Sequence, residues 1–146
     1  MGGLLQSPIW WIRMLHILAA IWLAVGLFAS TVVFALLKRA SDPGGRAFGA
    51  QLAGRLQTVF TLPGALVCGA LGLYQAMARF GFKDGWIHAS LTLWLVLLAI
   101  VLFVQMPRIR EAARTGSGVP PVVAMLSHVN ALLLVVMIFL MSFKPF

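Results

Sequence analysis

Three histidines lie in stretches of this sequence that are otherwise almost purely apolar. His16 lies in the N-terminal apolar run, His88 comes two residues after Trp86, and His128 opens the last apolar run. Ionisable side chains in such surroundings are costly, so they are functional candidates by default. Neutral imidazole is a common ligand of iron and copper. These three residues are therefore the first candidates for chemistry.

The composition indicates where that chemistry would take place. The chain has 146 residues, of which 62% are hydrophobic and 10% are charged, and its mean hydropathy is +1.01. A soluble domain has about 25% charged residues, so we predict an integral membrane protein. The net charge is +8, but the basic residues lie in short gaps between apolar runs. No basic patch alternates with aromatic residues, which argues against nucleic-acid binding.

Four apolar runs are each long enough to cross a hydrocarbon layer of about 30 Å, which takes about 20 residues. They extend from about Ile9 to Leu37, Leu56 to Ala78, Trp86 to Met106 and Val122 to Phe143. The runs are continuous rather than alternating, which favours helices over a barrel. Short connections favour antiparallel neighbours. We therefore predict one all-α domain over residues 1–146, an up-down-up-down four-helix bundle spanning the membrane.

The basic residues also predict an orientation. The first and third gaps carry seven of them and the other side carries four, and the side richer in Lys and Arg normally faces the cytoplasm. Both termini are then expected on the non-cytoplasmic side of a bacterial inner membrane. The seven are Lys38, Arg39, Arg46, Arg55, Arg108, Arg110 and Arg114; the four are Arg13, Arg79, Lys83 and Lys144.

His16 and His88 are predicted at similar depth on two different helices. His16 lies about 8 Å deeper than the neighbouring tryptophan pair, and His88 about 3 Å deeper than Trp86, at 1.5 Å per residue. The first and third helices run in the same direction, so both rings are expected in the outer third of the bilayer. Two imidazoles in this arrangement suit a haem held between helices. The alternative is that each ring only hydrogen-bonds to a neighbouring helix or to headgroup water.

His128 is expected in the cytoplasmic half, where it could ligate a second cofactor, bind a haem propionate, or pair with Asn130 and Ser127 across a helix interface. His128 and Asn130 are expected to face the bundle interior. Methionine offers a further alternative, because thioether and imidazole together suit copper(I). The residues for such a copper site are Met14, His16, Met125 and His128.

The second run contains small residues at every fourth position: Gly64, Cys68 and Gly72. This spacing predicts close packing against a neighbouring helix. No acidic residue lies within a span, and no nucleophile-base-acid arrangement can be assembled. We therefore predict no catalytic residue.

Four stretches together resemble a known family. They are "LHILAAIWLAVGLF", "TLPGALVCGALGLY", "GWIHASL" and "HVNALLLVVMIFLMSFKPF". In this order they are similar to the J-type membrane protoporphyrinogen oxidase and its relatives, which include the copper-resistance protein D domain. The resemblance implies a four-helix membrane scaffold with haem b, and it implies that His16 is a haem ligand.

The same resemblance also identifies departures from the oxidase pattern. Its third helix opens Trp-Leu-His-x-Lys-Leu, which His88 matches, but Ser90 stands in place of the lysine. Its fourth helix has an Asn-Glu pair, here Asn130 followed by Ala131. The terminal Lys-Pro-Phe is kept at 144–146. The resemblance therefore implies a retained scaffold and haem position without the oxidase's lysine and glutamate.

We accordingly expect a haem b protein with an electron-transfer role, working between a quinone and a larger respiratory or oxidative membrane complex. The expected partners are the bilayer and a membrane protein or a second copy of the chain. The alternatives are a cofactor-free accessory subunit, a copper-handling protein, and a divergent protoporphyrinogen oxidase.

Overall fold

The computed structural model describes residues 8–144, with side chains from Trp10 onward, and within this range all regular structure is helical. Four long helices follow one another: α1 (Pro8–Leu37), α2 (Pro43–Phe80), α3 (Gly85–Thr115) and α4 (Pro121–Phe143). Each is long and apolar enough to cross a membrane. The predicted all-α four-helix membrane bundle is confirmed. Pro145 and Phe146, which end the resemblance, lie outside the described residues.

The helices alternate in direction, so that the ends of sequential helices meet. At one end of the bundle, a Cβ on Gly49 of α2 would meet the side chain of Leu37 of α1. Towards the other end, a Cβ on Gly72 would lie 3.0 Å from His16 Cε1. α1 packs against α2 and α4, and α3 also packs against α2 and α4. Consequently α1 and α3 occupy one diagonal of the bundle.

α2 begins at Pro43 rather than near Leu56, so the prediction that its first residues form a loop is wrong. Asp42 precedes the helix, and its carboxylate accepts a hydrogen bond of 2.6 Å from the Gly45 N–H. Asp at this position satisfies a free N–H, and proline at the first helical position has a suitable φ. The Asp-Pro-Gly-Gly sequence therefore starts a helix instead of forming a turn.

α3 continues beyond the apolar run that ends near Met106, as the amphipathic stretch "MPRIREAAR" predicts, and it stops at Gly116, whose φ is 65°. Ile109 and Ala112 in this extension are buried against the first residues of α2, which lengthen that helix in the same way and where Ala53 is fully buried. This packing stabilises the extension. The two extensions form a helical pair at the end of the bundle that carries the first and third loops. We call this the basic end; it includes residues 38–46 and 108–114.

Each of two prolines within the spans follows a π-helical turn. These turns cover Gln57–Thr61 and Ile100–Gln105, and they precede Pro63 and Pro107 respectively. Proline cannot donate to the carbonyl four residues earlier, and its ring clashes with that carbonyl. A widened turn relieves the clash without breaking the helix. Each such turn also changes which side chains face the bundle interior.

The bundle interior is filled by apolar side chains from all four helices. The buried cluster consists of Leu23, Leu27, Ala65, Leu97, Val101, Met106, Leu134 and Met137. The predicted small-residue packing is confirmed at Gly64, where an added Cβ would lie 2.7 Å from the backbone nitrogen of Leu23. This close approach lets van der Waals packing hold α1 against α2.

Candidate functional site

His16 lies against α2, where it forms one hydrogen bond and packs on a glycine. Its Nδ1 lies 2.9 Å from the carbonyl oxygen of Cys68 and 3.7 Å from the Cys68 sulfur. Because a carbonyl oxygen only accepts, Nδ1 carries the proton, and Nε2 is left as the nitrogen with a free lone pair. The ring rests where a side chain on Gly72 would otherwise lie. The half-buried imidazole therefore has one orientation and one tautomer.

His88 has different surroundings. It is exposed on α3, and its Nε2 donates to the carbonyl oxygen of Phe82 at 2.9 Å, in the connection before the helix. α1 and α3 lie on a diagonal, and buried side chains such as Leu23 and Leu97 fill the interior. The structure therefore does not bring His16 and His88 together. A shared haem between these two rings stays a prediction.

His128 does not face the interior, so that expectation is wrong. It is exposed, and its Nδ1 donates to the Ala124 carbonyl of its own helix at 2.7 Å. Asn130 is fully buried. His128 lies two positions earlier, and residues two positions apart are rotated by about 200° around a helix, so His128 and Asn130 cannot both face inward. Ser127 pairs across the helix interface with Thr31 of α1 at 2.9 Å rather than with His128.

The residues of the copper alternative lie far apart. Met14 and Met125 are both exposed. α1 and α4 are antiparallel, so Met14 with His16 lies towards one end of the bundle and Met125 with His128 towards the other. The structure does not bring the two pairs together. Among the described residues, no three His, Cys, Asp or Glu side chains are grouped so that they could hold a metal ion.

Three amide side chains form a buried polar cluster in the bundle centre, which we call the amide cluster: Gln57, Gln105 and Asn130. Gln57 Nε2 donates to Gln105 Oε1 at 3.3 Å, and Asn130 Nδ2 donates to the same oxygen at 3.2 Å. Gln105 Nε2 in turn donates to the Val123 carbonyl at 3.4 Å. The cluster therefore connects α2, α3 and α4 through a single acceptor.

The amide cluster leaves two of its oxygens without a partner. Gln57 Oε1 and Asn130 Oδ1 are buried and accept no hydrogen bond from the described residues, and Thr61 Oγ1 is in the same condition. An unpaired buried polar group costs about 1–3 kcal/mol. Such groups are retained where they specify helix register or bind a polar molecule.

Sequence reasoning singled out Asn130 but missed Gln57. The signal was a lone glutamine in the stretch "LQTVFTL". This glutamine lies at the start of the second apolar run, where a polar residue is ordinarily expected at the membrane boundary. The π-helical turn that starts at Gln57 lies where this side chain enters the interior.

Two cavities adjoin the basic end. One has a volume of about 360 Å³ and lies between α2 and α3, with Arg55, Gln57 and Arg110 among its lining residues. The other has a volume of about 500 Å³ and lies among the ends of α1, α2 and α4, with Lys38 and Arg46 in its walls. Neither cavity is lined by a histidine.

Four apolar spans, polar side chains gathered in the interior and a basic end define a multi-pass integral membrane protein. The chain belongs to the family described as "Predicted integral membrane protein (DUF2269)", which matches residues 10–145. No curated protein and no solved structure matches the chain significantly. The family description supports the bilayer as the surroundings of the chain.

Proposed function

We propose that this protein binds haem b through His16 and takes part in electron transfer as a small subunit of a respiratory or oxidative complex in a bacterial inner membrane. The hydrogen bond between His16 Nδ1 and the Cys68 carbonyl carries this proposal. Histidines that bind a metal almost always donate their other ring N–H to a carbonyl, a carboxylate or water. His16 has this arrangement.

The residues around His16 suit a histidine that would hold haem through one ring nitrogen. Gly72 leaves room for the ring, since an added Cβ would lie 3.0 Å from Cε1. The Cys68 carbonyl holds the proton on Nδ1 and so keeps the Nε2 lone pair available. Bound haem supplies a one-electron redox couple, whose potential the protein tunes through the axial ligand and burial. The similarity to the haem-binding oxidase family supports the same residue.

His88 is less suited than His16 to bind haem. Its Nε2 already donates to Phe82, and its ring is exposed on the diagonal helix. We therefore propose His16 as the ligand and leave His88 as a second ligand to be tested. A quinone and a larger membrane complex are the proposed redox partners.

The test is a reduced-minus-oxidised absorption spectrum of the purified protein in mild detergent. We expect a b-type spectrum in the unmodified protein that is lost in His16→Ala. His128→Ala is the matched control, because His128 is exposed and bonds only to its own helix. It should keep the full spectrum. The His88→Ala spectrum reports whether a second imidazole is bound.

A folded, colourless protein obtained with haem supplied during expression would contradict the proposal. So would a spectrum that survives in His16→Ala. Elemental analysis of the same preparations tests the copper alternative, because bound copper without a porphyrin spectrum would favour it.

A cofactor-free accessory subunit is the second candidate function. The filled interior favours it, because Leu23, Leu27 and Leu97 are almost completely buried and neither of the two cavities is lined by a histidine. In that case the His16 hydrogen bond only fixes the packing of α1 on α2. The colourless result above would then be accompanied by co-purification with a larger membrane protein.

A further inference from the structure

The cavity of about 500 Å³ at the basic end combines cationic and apolar walls. Lys38 and Arg46 supply the two charges, and Phe34, Leu37 and Pro121 are among the apolar residues. None of the residues that line the cavity is acidic. Its volume lies within the range of about 300–1,000 Å³ that is typical of small-molecule sites.

Arg46 lines this cavity and has one hydrogen-bond donor without a partner. One guanidinium nitrogen, Nη2, donates to the Ser41 carbonyl at 2.9 Å. Nε is buried and has no partner among the described residues. A charged group that loses water without gaining an acceptor is more costly than a neutral one, so an anion beside the guanidinium would offset this cost.

The acidic side chain nearest to Arg46 in the sequence has a different partner. Asp42 accepts a hydrogen bond from the Gly45 N–H and caps α2. Gly118, whose φ is 85°, lies beside the Arg46 side chain, because an added Cβ would be 3.5 Å from Arg46 Cδ. The loop before α4 therefore leaves space for the aliphatic part of the Arg46 side chain.

We propose that this cavity binds the phosphate group of an anionic phospholipid, with Arg46 and Lys38 as its donors. Phosphate oxygens form strong charge-assisted hydrogen bonds with guanidinium and ammonium groups. Basic pockets between membrane helices are suited to acidic lipid headgroups. Phe34 and Leu37 give the same cavity apolar walls, and the combination of charge and apolar surface suits an amphiphile. This site does not depend on haem.

The experiment uses lipid-depleted protein in a neutral detergent and measures binding by the shift in thermal unfolding temperature. Short-chain phosphatidylglycerol, short-chain phosphatidylcholine and inorganic phosphate are titrated separately. We expect phosphatidylglycerol to stabilise the protein and phosphatidylcholine to have no such effect. In Arg46→Gln and in Lys38→Gln, the Kd for phosphatidylglycerol should rise about tenfold or more, as for the loss of one charge-assisted bond.

Arg39→Gln is the matched control, since Arg39 lies in the same loop, is exposed, and does not line the cavity. It should bind like the unmodified protein. An equal stabilisation by inorganic phosphate alone would support the phosphate site but assign it to free phosphate. Equal effects of the two lipids, or an equal loss in Arg39→Gln, would overturn the proposal. If Arg46→Gln does not fold, unchanged binding in Lys38→Gln would overturn it, because Lys38 is exposed.

Discussion

At the scale of single residues, the orientation of His16 depends on a glycine on another helix. Gly72 has no side chain where the imidazole lies, and the ring then reaches the Cys68 carbonyl. Gly72→Val should push the ring away and break this hydrogen bond. If His16 binds haem, the haem content per protein should fall about tenfold or more, as for other groups that orient a metal-bound histidine.

The pyridine haemochrome assay measures that change. Ala70→Val is its control, because Ala70 lies two residues earlier on α2 and is exposed. Unchanged haem content in Gly72→Val would mean that the contact between this ring and α2 is not part of a haem site.

A second prediction concerns the acceptor at the centre of the amide cluster. Gln105→Leu removes the oxygen that accepts from both Gln57 and Asn130. Two buried donors are then unpaired, at about 1–3 kcal/mol each. We expect a clear fall in the temperature at which the detergent-solubilised protein unfolds, measured by loss of monodisperse protein after heating.

Replacing all three amides with leucine should cost less than Gln105→Leu alone, because no unpaired amide group is then left in the amide cluster. Thr92→Val, which removes an exposed hydroxyl bonded to its own helix, is the control and should have little effect. A triple variant that is less stable than the single one would show that leucine does not fit this space.

At the scale of helices, one tryptophan connects α3 to α2. Trp94 Nε1 donates to the Ala65 carbonyl at 2.9 Å, and the indole covers Gly69 so closely that an added Cβ would overlap the ring. Nothing in the sequence pattern distinguished this tryptophan from one that faces lipid. Its ring occupies the space that Gly69 leaves.

Gly69→Leu should therefore separate α2 from α3 and destabilise the bundle by about 1–3 kcal/mol, as is usual for overpacking. Ala70→Leu adds the same bulk at the neighbouring, exposed position and should be tolerated. Thermal unfolding of the two variants in the same detergent gives the comparison. Equal stability would mean that the α2–α3 contact has room to adjust.

At the scale of the whole molecule, charge and helix length both distinguish the two ends. α2 is 38 residues long and α4 is 23, which correspond to about 57 Å and 35 Å. The hydrocarbon layer is about 30 Å thick, so α2 extends beyond it at the basic end. Both the charge and the extra helix are expected on the cytoplasmic side.

Labelling of single cysteines tests this orientation in a Cys68→Ser background. Ser41→Cys and Ser117→Cys lie in the first and third loops, and Lys83→Cys lies in the second. A membrane-impermeant maleimide added to spheroplasts should label only Lys83→Cys, and inverted vesicles should give the opposite pattern. Labelling of Ser41→Cys in spheroplasts would mean that the basic end faces outward.

The sequence alone determined that the chain forms four membrane-spanning helices. Long apolar runs are driven out of water, and only a helix satisfies their backbone groups within one segment. Regular small residues also predicted the close contact at Gly64. The start of α2 was mistaken because Asp-Pro-Gly-Gly suits both a turn and a capped helix start.

Only the tertiary structure decided which side chains meet. In a membrane helix, apolar residues cover the lipid-facing and the interior sides alike, so their periodicity does not reveal which side faces a neighbour. The π-helical turns change the facing sides further: Gln57 begins one turn, Gln105 ends another, and the two meet Asn130. For the same reason, equal depth suggested that His16 and His88 would meet, whereas rotation about the helix axes gave each a different partner.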